Sequence, residues 1–492
     1  MALENQQTNT KIDNETQTAK RWRLGYHIMA PSGWINDPNG LIQYKGNYHV
    51  FFQHYPYGVE WGPMHWGHVA SHDLVHWKYY PIALVPGDTY DRDGCFSGSA
   101  VENDGELCLI YTGHRYLDKE KSLADQVQCL SVSRDGIQFT KDPNNPIIAS
   151  YPEEGSGDFR DPKVWRHNDF WYLIAGTTKN HIGKVVLYRS SDLRTWTYLG
   201  VIAQSEGNQG CMWECPDFFE LNGKHILMIS PQGIEPEDDG YQNLHQTGYF
   251  VGYFDDERFD FSHGSFNELD KGHDFYAVQT FQDDQGRRIA FAWMDMWESL
   301  MPEQEEGWAG ALTLPRELTL DADGKIRMTP VEELKKLRKD KLLSVENEYI
   351  SGEKTYHELT DALLEIEAEF DTTLVEVFDF GIKLRVGETE ETVIRYDLKG
   401  EKLILDRTKS GTGVGGVRQT ALPKSERLRL HIYLDRSSVE VFANDGETVM
   451  TSRIYPTEKN EGIRLFSNEG DVRMTRLNVW RLENIGLNFE NK

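Results

Sequence analysis

Apolar residues in the first 320 positions fall in short alternating runs, such as Tyr48-His49-Val50-Phe51-Phe52 and Phe170-Trp171-Tyr172-Leu173-Ile174. Asp-Gly, Asn-Gly and Pro-Gly pairs separate them. Alternation rich in aromatic and β-branched residues and bounded by turn pairs predicts many short antiparallel strands. Next, Thr329-Pro330-Val331-Glu332 offers a cap, a proline for the first helical position and the glutamate of a capping box. This predicts a linker helix over 329–342 with Leu334 and Leu337 facing inward. From about residue 343 period two returns, as in Leu364-Glu365-Ile366-Glu367-Ala368-Glu369-Phe370 and Leu428-Arg429-Leu430-His431-Ile432-Tyr433-Leu434. Such one-sided strands predict a β-sandwich over 343–492.

One spacing recurs in the first part. Ser71-x-Asp73-x-x-x-Trp77 returns as Ser133-x-Asp135-x-x-x-Phe139 and as Ser190-x-Asp192-x-x-x-Trp196. The period suits one four-stranded propeller blade with its loops, since blade repeats run to roughly 40–50 residues or more. The aspartate closes a turn through its own backbone and the ring plugs the gap between blades. The expectation is an all-β chain: a five-bladed β-propeller over 23–328 followed by a C-terminal β-sandwich. Residues 1–22 are polar and predict a disordered tail, with no hydrophobic anchor before Trp22 and Tyr26.

The tail also lacks the apolar centre of a secretory signal, and no apolar run approaches the ~18 residues needed to cross a bilayer, so a cytoplasmic protein is expected. A net charge of −27 argues against nucleic acid and anionic membranes as partners. The five cysteines, Cys95, Cys108, Cys129, Cys211 and Cys215, form no disulfide framework and are expected to be reduced. Neither Cys211 with Cys215 nor the series His65, His68, His72, His76 makes a metal site. The cysteines lack a second pair, and Pro63, Gly67 and the Ser71–Trp77 turn forbid the helix that would align the histidines.

Three acids stand beside prolines: Asp37 in Trp34-Ile35-Asn36-Asp37-Pro38-Asn39-Gly40, Asp161 in Phe159-Arg160-Asp161-Pro162-Lys163, and Glu214 in Trp213-Glu214-Cys215-Pro216-Asp217. Proline belongs at strand starts and edges. Separations close to two blade periods and to one place the acids at equivalent positions of three blades, facing the propeller axis. Three carboxylates in one funnel repel and should retain a proton near neutral pH. Cleaving a glycosidic bond needs such a set: a protonated acid for the leaving oxygen and an ionised carboxylate to attack. Asp37, flanked by Asn36 and Asn39, suits the ionised role. Glu214, between Trp213 and Cys215, is expected to have its pKa raised for the acid role. Trp61, Trp66, Phe96, Tyr276 and Trp293 are candidates for stacking on sugar, two or three of them in contact with it.

Residues 34–40, 160–162 and 214–216 match without departure the three acidic boxes of glycoside hydrolase family 32, which the chain resembles over essentially its whole length. The resemblance implies a retaining β-fructofuranosidase that splits sucrose or sucrose 6-phosphate without metal or organic cofactor. It implies Asp37 as nucleophile, Glu214 as acid/base and Asp161 as transition-state stabiliser holding fructosyl hydroxyls. Asn36, Gln53, Trp61, Phe96, Ser97 and Arg160 are implied substrate contacts, with Tyr276 and Trp293 carried over on looser patterns. Two other readings stand beside this one, a fructosyltransferase or inulin hydrolase of the same fold and a non-catalytic carbohydrate-binding propeller. The sequence leaves open sucrose against its 6-phosphate and a homodimer through the sandwich.

Overall fold

A computed structural model of the chain describes residues 21–120, 123–373 and 377–489. The predicted runs form five sheets in chain order, each built on an antiparallel meander beginning at the axis of a five-bladed propeller; the first also takes Trp308–Ala309 and Asn488–Phe489 in parallel at its two edges. The innermost strands are Gly33–Tyr44, Gly94–Asn103, Phe159–His167, Met212–Leu221 and Tyr276–Gln282. Each touches the next around the axis, and the last closes on the first.

The turn repeat works as its chemistry implied. Asp73 Oδ1 accepts the N–H groups of Val75 and His76 at 3.2 and 2.9 Å. Asp135 does the same for Ile137 and Gln138, both at 2.8 Å, and Asp192 for Arg194 and Thr195 at 2.9 and 2.8 Å. The rings bridge blades: Trp77 meets Phe291 of the fifth blade and Phe139 meets Phe51 of the first, at centroid distances of 5.9 and 5.5 Å. The fourth blade carries the same device at Asp255, which holds Glu257 and Arg258 at 3.0 Å each. Its pattern escaped detection because Tyr253 stands where the other copies have serine.

Past the propeller one ten-stranded sheet folds over into the predicted sandwich. The strand Ile463–Leu482 pairs with Asp379–Leu384 through its first part and with Leu364–Asp371 through its second, so it belongs to both layers. Apolar residues of the two inner faces, among them Ile366, Phe370, Phe380, Ile432, Val441 and Leu477, make the core.

Two boundaries differ from expectation. In place of a helix over 329–342 there is a six-residue 3₁₀ turn, Glu332–Leu337. Thr329 and Pro330 still belong to the last propeller strand, Ile326–Pro330, and Val331 precedes the turn without a side-chain cap. Leu334 and Leu337 are buried as expected, but Arg338 already begins a 19-residue strand of the sandwich. Pairing of that strand along Ile463–Leu482 outcompetes a capped helix, as tertiary context commonly overrides local signals. Trp22, counted with the tail, is buried edge-on against Tyr455; residues 1–20 lie outside the described residues. Among the described residues no helix is long and apolar enough to cross a membrane.

The two domains share one apolar core, in which Leu312, Leu318 and Met328 of the propeller meet Tyr433, Phe442 and Val449 of the sandwich. Backbones touch there as well. Lys271 N–H donates to Val449 O at 2.8 Å, and a Cβ on Gly272 would stand 2.1 Å from Thr451 O. Buried charges cross the same seam. Arg316 binds Asp270 and Glu440 at 2.9 and 2.6 Å, while His27 lies between Asp435 and Glu440, 2.8 Å from each. Burial opposes charging of His27, yet these two carboxylates outweigh it and push its pKa up to about 9. A raised pKa means that this stabilisation is complete below pH ~6.5 and is lost as pH rises through about 9, on the order of 3 kcal/mol in all. The difference in thermal midpoint between the wild type and His27→Gln should therefore shrink from pH 6.5 to 9.5. A constant difference would rule out a charged His27.

Candidate active site

All five innermost strands break register with their partners at the same height. The extra residues are Asn36-Asp37, Ser97, Asp161-Pro162, Cys215-Pro216 and Ala277-Val278. A bulge bends its strand and re-aims a side chain, and five of them at one level turn side chains into a common pit. Proline fits at 162 and 216 because a bulged residue has no ladder bond to give up, while Pro38 stands just past its bulge, opposite Phe52. The left-handed φ of Asp161 (63°) and Cys215 (48°) is part of the cost of this geometry.

Asp37 Oδ2 accepts the Ser97 hydroxyl at 2.5 Å, and Oδ1 accepts the Asn36 amide at 2.9 Å. Trp34 Nε1 orients that amide by donating to its oxygen at 2.8 Å. Asp161 Oδ2 accepts Cys215 N–H at 2.9 Å, and Asp161 N–H donates to Thr112 Oγ1 at 2.9 Å. The Cys215 sulfur joins the two acids, 3.6 Å from Asp37 Oδ2 and 3.7 Å from Asp161 Oδ2. Arg160 grips Glu214 Oε1 through Nε and Nη2 at 2.9 and 2.8 Å. Glu214 Oε2 accepts from Tyr276 Oη at 2.5 Å and Gln232 Nε2 at 2.8 Å.

Three carboxylates thus face one guanidinium. Burial raises the Asp37 pKa, and although Ser97 and Asn36 pull it back it stays above the ordinary range. Asp161 is pushed up to about 7 by burial, against Arg160 and with the charges of Glu214 and Asp37. Burial also drives Glu214 upward, but Arg160, Tyr276 and Gln232 more than offset it and hold the pKa below the usual value. The expected retained proton is there, but the expected rise at Glu214 is not. Its neighbours in the chain do not set its environment: the Cys215 sulfur faces Asp37 and Asp161, and the Glu214 carboxylate meets Arg160, Tyr276 and Gln232. Trp213 instead donates its Nε1 to Gln209 O.

Asn36, Asp37, Gln53, Trp61, Phe96, Ser97, Arg160, Asp161 and Glu214 all line the pit, whose volume is about 260 Å³. Tyr276 is buried behind Glu214, which it orients from outside the pit wall. Trp293 and Trp66 are also buried; Trp293 packs against Trp34 and Trp297, and it is Trp297 that reaches the pit. Asn39 does not touch Asp37 but sits beside Gly98 N, 3.4 Å away. His114, Tyr116, Gln126, Asp158 and Trp297 also line the pit and were not anticipated. Period two could have found Asp158, two residues before Arg160 and bonded to it at 3.0 Å; nothing local marks the others. Of the four histidines, His65 and His68 lie on the strand His65–Ser71, and His72 and His76 in the turn after it. All five cysteines are free.

A sugar-sized pit on the axis of a propeller, floored by carboxylates of which one retains a proton near neutrality, is the equipment of a glycoside hydrolase. The chain belongs to the glycosyl hydrolases family 32: models of that family's N-terminal and C-terminal domains match residues 27–330 and 333–481. It is 44% identical to a sucrose-6-phosphate hydrolase of Zymomonas mobilis over 95% of this chain and 94% of that one. With a raffinose invertase of Escherichia coli it shares 43% identity over 94% and 95% of the two chains. A solved Bombyx mori GH32 β-fructofuranosidase superposes with a TM-score of 0.85 at 37% identity, covering 98% of this chain and 99% of its own; a mutant of it is solved in complex with sucrose.

Because the Tyr276 hydroxyl bonds the ionised carboxylate, its removal should raise the Glu214 pKa. Tyr276→Phe should move the alkaline limb of the pH–activity profile upward by about one unit, the size of one hydrogen bond to a charged group. An unmoved limb would exclude this role.

Proposed function

We propose that the protein hydrolyses the terminal non-reducing β-D-fructofuranosyl bond of sucrose and of sucrose 6-phosphate by double displacement, with Asp37 as nucleophile, Glu214 as acid/base and Asp161 as the carboxylate that holds fructosyl hydroxyls. The observation that carries the reading is the convergence of the three acids on one pit, Asp37 and Asp161 sharing the Cys215 sulfur and Glu214 clamped to Arg160. The relatives named for sucrose 6-phosphate and β-fructofuranoside hydrolysis support the substrate class. Free thiols at all five cysteines support a reducing compartment such as the cytoplasm.

The pKa order suggests how the proton reaches its place. Asp161 is the carboxylate pushed up to about 7, and Glu214 is held below its usual range by Arg160, Tyr276 and Gln232. Fructosyl hydroxyls donating to Asp161 stabilise its anion and lower its pKa. The proton shared by the cluster then favours Glu214, beside the leaving oxygen. Asp37 attacks the anomeric carbon and the C–O bond breaks as Glu214 gives up the proton. Water then reopens the fructosyl ester, with Glu214 taking the proton back.

Asp37→Asn and Glu214→Gln should each lower kcat on sucrose by about three to five orders of magnitude with unchanged thermal midpoints. Fructosides with leaving groups that need no protonation should restore rate to Glu214→Gln only; restoration in Asp37→Asn instead would reverse the two roles. Fructose should first appear as the β anomer, and first appearance of the α anomer would exclude double displacement.

A further inference from the structure

Between the strand Arg288–Trp293 and the short edge strand Trp308–Ala309 the chain makes an excursion whose regular structure is one 3₁₀ turn, Pro302–Glu306. Trp297 stands on this excursion. Its half-buried ring lines the pit and stacks on Trp34 at a centroid distance of 5.8 Å. Glu298 beside it and Leu300 beyond are exposed, so the hold on this part of the chain comes from beneath.

Arg453, at the end of the sandwich strand Thr448–Arg453, supplies that hold. Its buried guanidinium pairs with Asp295 through Nη1 and with Glu303 through Nη2, so one side chain grips the excursion before Trp297 and again after it. Both carboxylates are buried as well. Asp295 Oδ1 accepts the Met296 N–H at 2.9 Å, one residue from Trp297. Glu303 Oε1 accepts Gly310 N–H at 3.2 Å, and Oε2 accepts Tyr455 Oη, also of the sandwich, at 2.7 Å. Gln304 Nε2, next in the turn, donates to Val59 O at 2.9 Å, which ties the same turn to the loop that carries Trp61.

Arg453 is itself fixed. Its N–H donates to Asp274 Oδ2 at 2.7 Å, and its carbonyl accepts Arg407 Nη1 at 3.0 Å. Arg407 pairs with Asp274 at 2.6 Å and matches that charge, which leaves the Arg453 guanidinium to Asp295 and Glu303. A planar fork can bridge two carboxylates where the point charge of a lysine ammonium cannot. The seam between the domains has its own ion pairs at Arg316 and Glu440. What Arg453 adds is a grip on both sides of one pit residue.

We propose that Arg453 is a positioning residue of the catalytic pit, through which the sandwich domain sets the place of Trp297 and thereby the strength of substrate binding. The inference rests on the pit being a fructosidase site. The bonds of the Arg453 side chain go to Asp295 and Glu303 and to none of the three acids. A displaced Trp297 therefore removes a contact that bound sucrose and its transition state make alike, and such a loss raises KM with kcat unchanged.

Fructose release from sucrose tests this in Arg453→Lys, which keeps the charge and loses the fork, and in Glu303→Ala, which frees the far anchor and leaves the Arg453–Asp295 pair matched. Each should raise KM about three- to tenfold, the range of one aromatic contact, with kcat within twofold of wild type. Trp297→Ala should raise KM by a similar factor. In a Trp297→Ala background neither change should move KM by more than twofold, because residues that act through one contact are not additive. An unchanged KM in both single variants would overturn the proposal, as would the same fold increase with and without Trp297. A fall in kcat at constant KM would also overturn it, since that is the mark of fewer folded molecules. Absence of fructose release from sucrose by the wild type would remove the underlying reading instead.

Discussion

Three carboxylates, Asp37, Asp161 and Glu214, converging on one pit beside a single guanidinium is the condition around which the molecule is arranged. Like charges at this separation resist ionising together, and burial deepens the resistance. Arg160 settles the distribution by charging Glu214 and leaving the retained proton to the Asp37–Asp161 side, where Cys215 spans the two acids. The proposed acid/base, Glu214, has the lowered pKa and the proposed nucleophile, Asp37, the raised one, an order that looks reversed for glycoside cleavage. They are consistent once the substrate's hydroxyls are counted as part of the electrostatics, because a hydroxyl donating to Asp161 stabilises its anion.

Holding such a cluster requires a frame that does not yield. Every innermost strand contributes one bulge at the same level, and beneath the pit Lys163, Asp217 and Thr280 join the third, fourth and fifth blades by buried polar bonds. Tyr276 and Gln232 hold Glu214, and Trp34 holds Asn36, from behind the pit wall. The sandwich adds rigidity from outside. Its Glu440 holds both Arg316 and His27, so the entering chain, the last blade and the C-terminal domain share one ion network. Breaking such a buried pair leaves an uncompensated charge, which couples the seam to the stability of the whole chain.

Much of the fold was legible because it is written in local chemistry. The turn aspartates at 73, 135 and 192 close their loops with their own oxygens, and period-two stretches such as 364–370 and 428–434 need only their own alternation to define a face. Local chemistry also misled. The capping box at Thr329 is a sound helix start, but the pairing available to Arg338–Tyr356 is worth more than one capped turn.

The sequence by itself determined the blade period, the two-domain order and the identity of the three acids, since each rests on residues near one another in the chain. Only the tertiary structure decided which aromatic side chains meet the pit, Trp297 and not Trp293, and which way the Glu214 pKa moves. Those properties depend on groups tens to hundreds of residues apart, and charge and burial act through space with no regard to position along the chain.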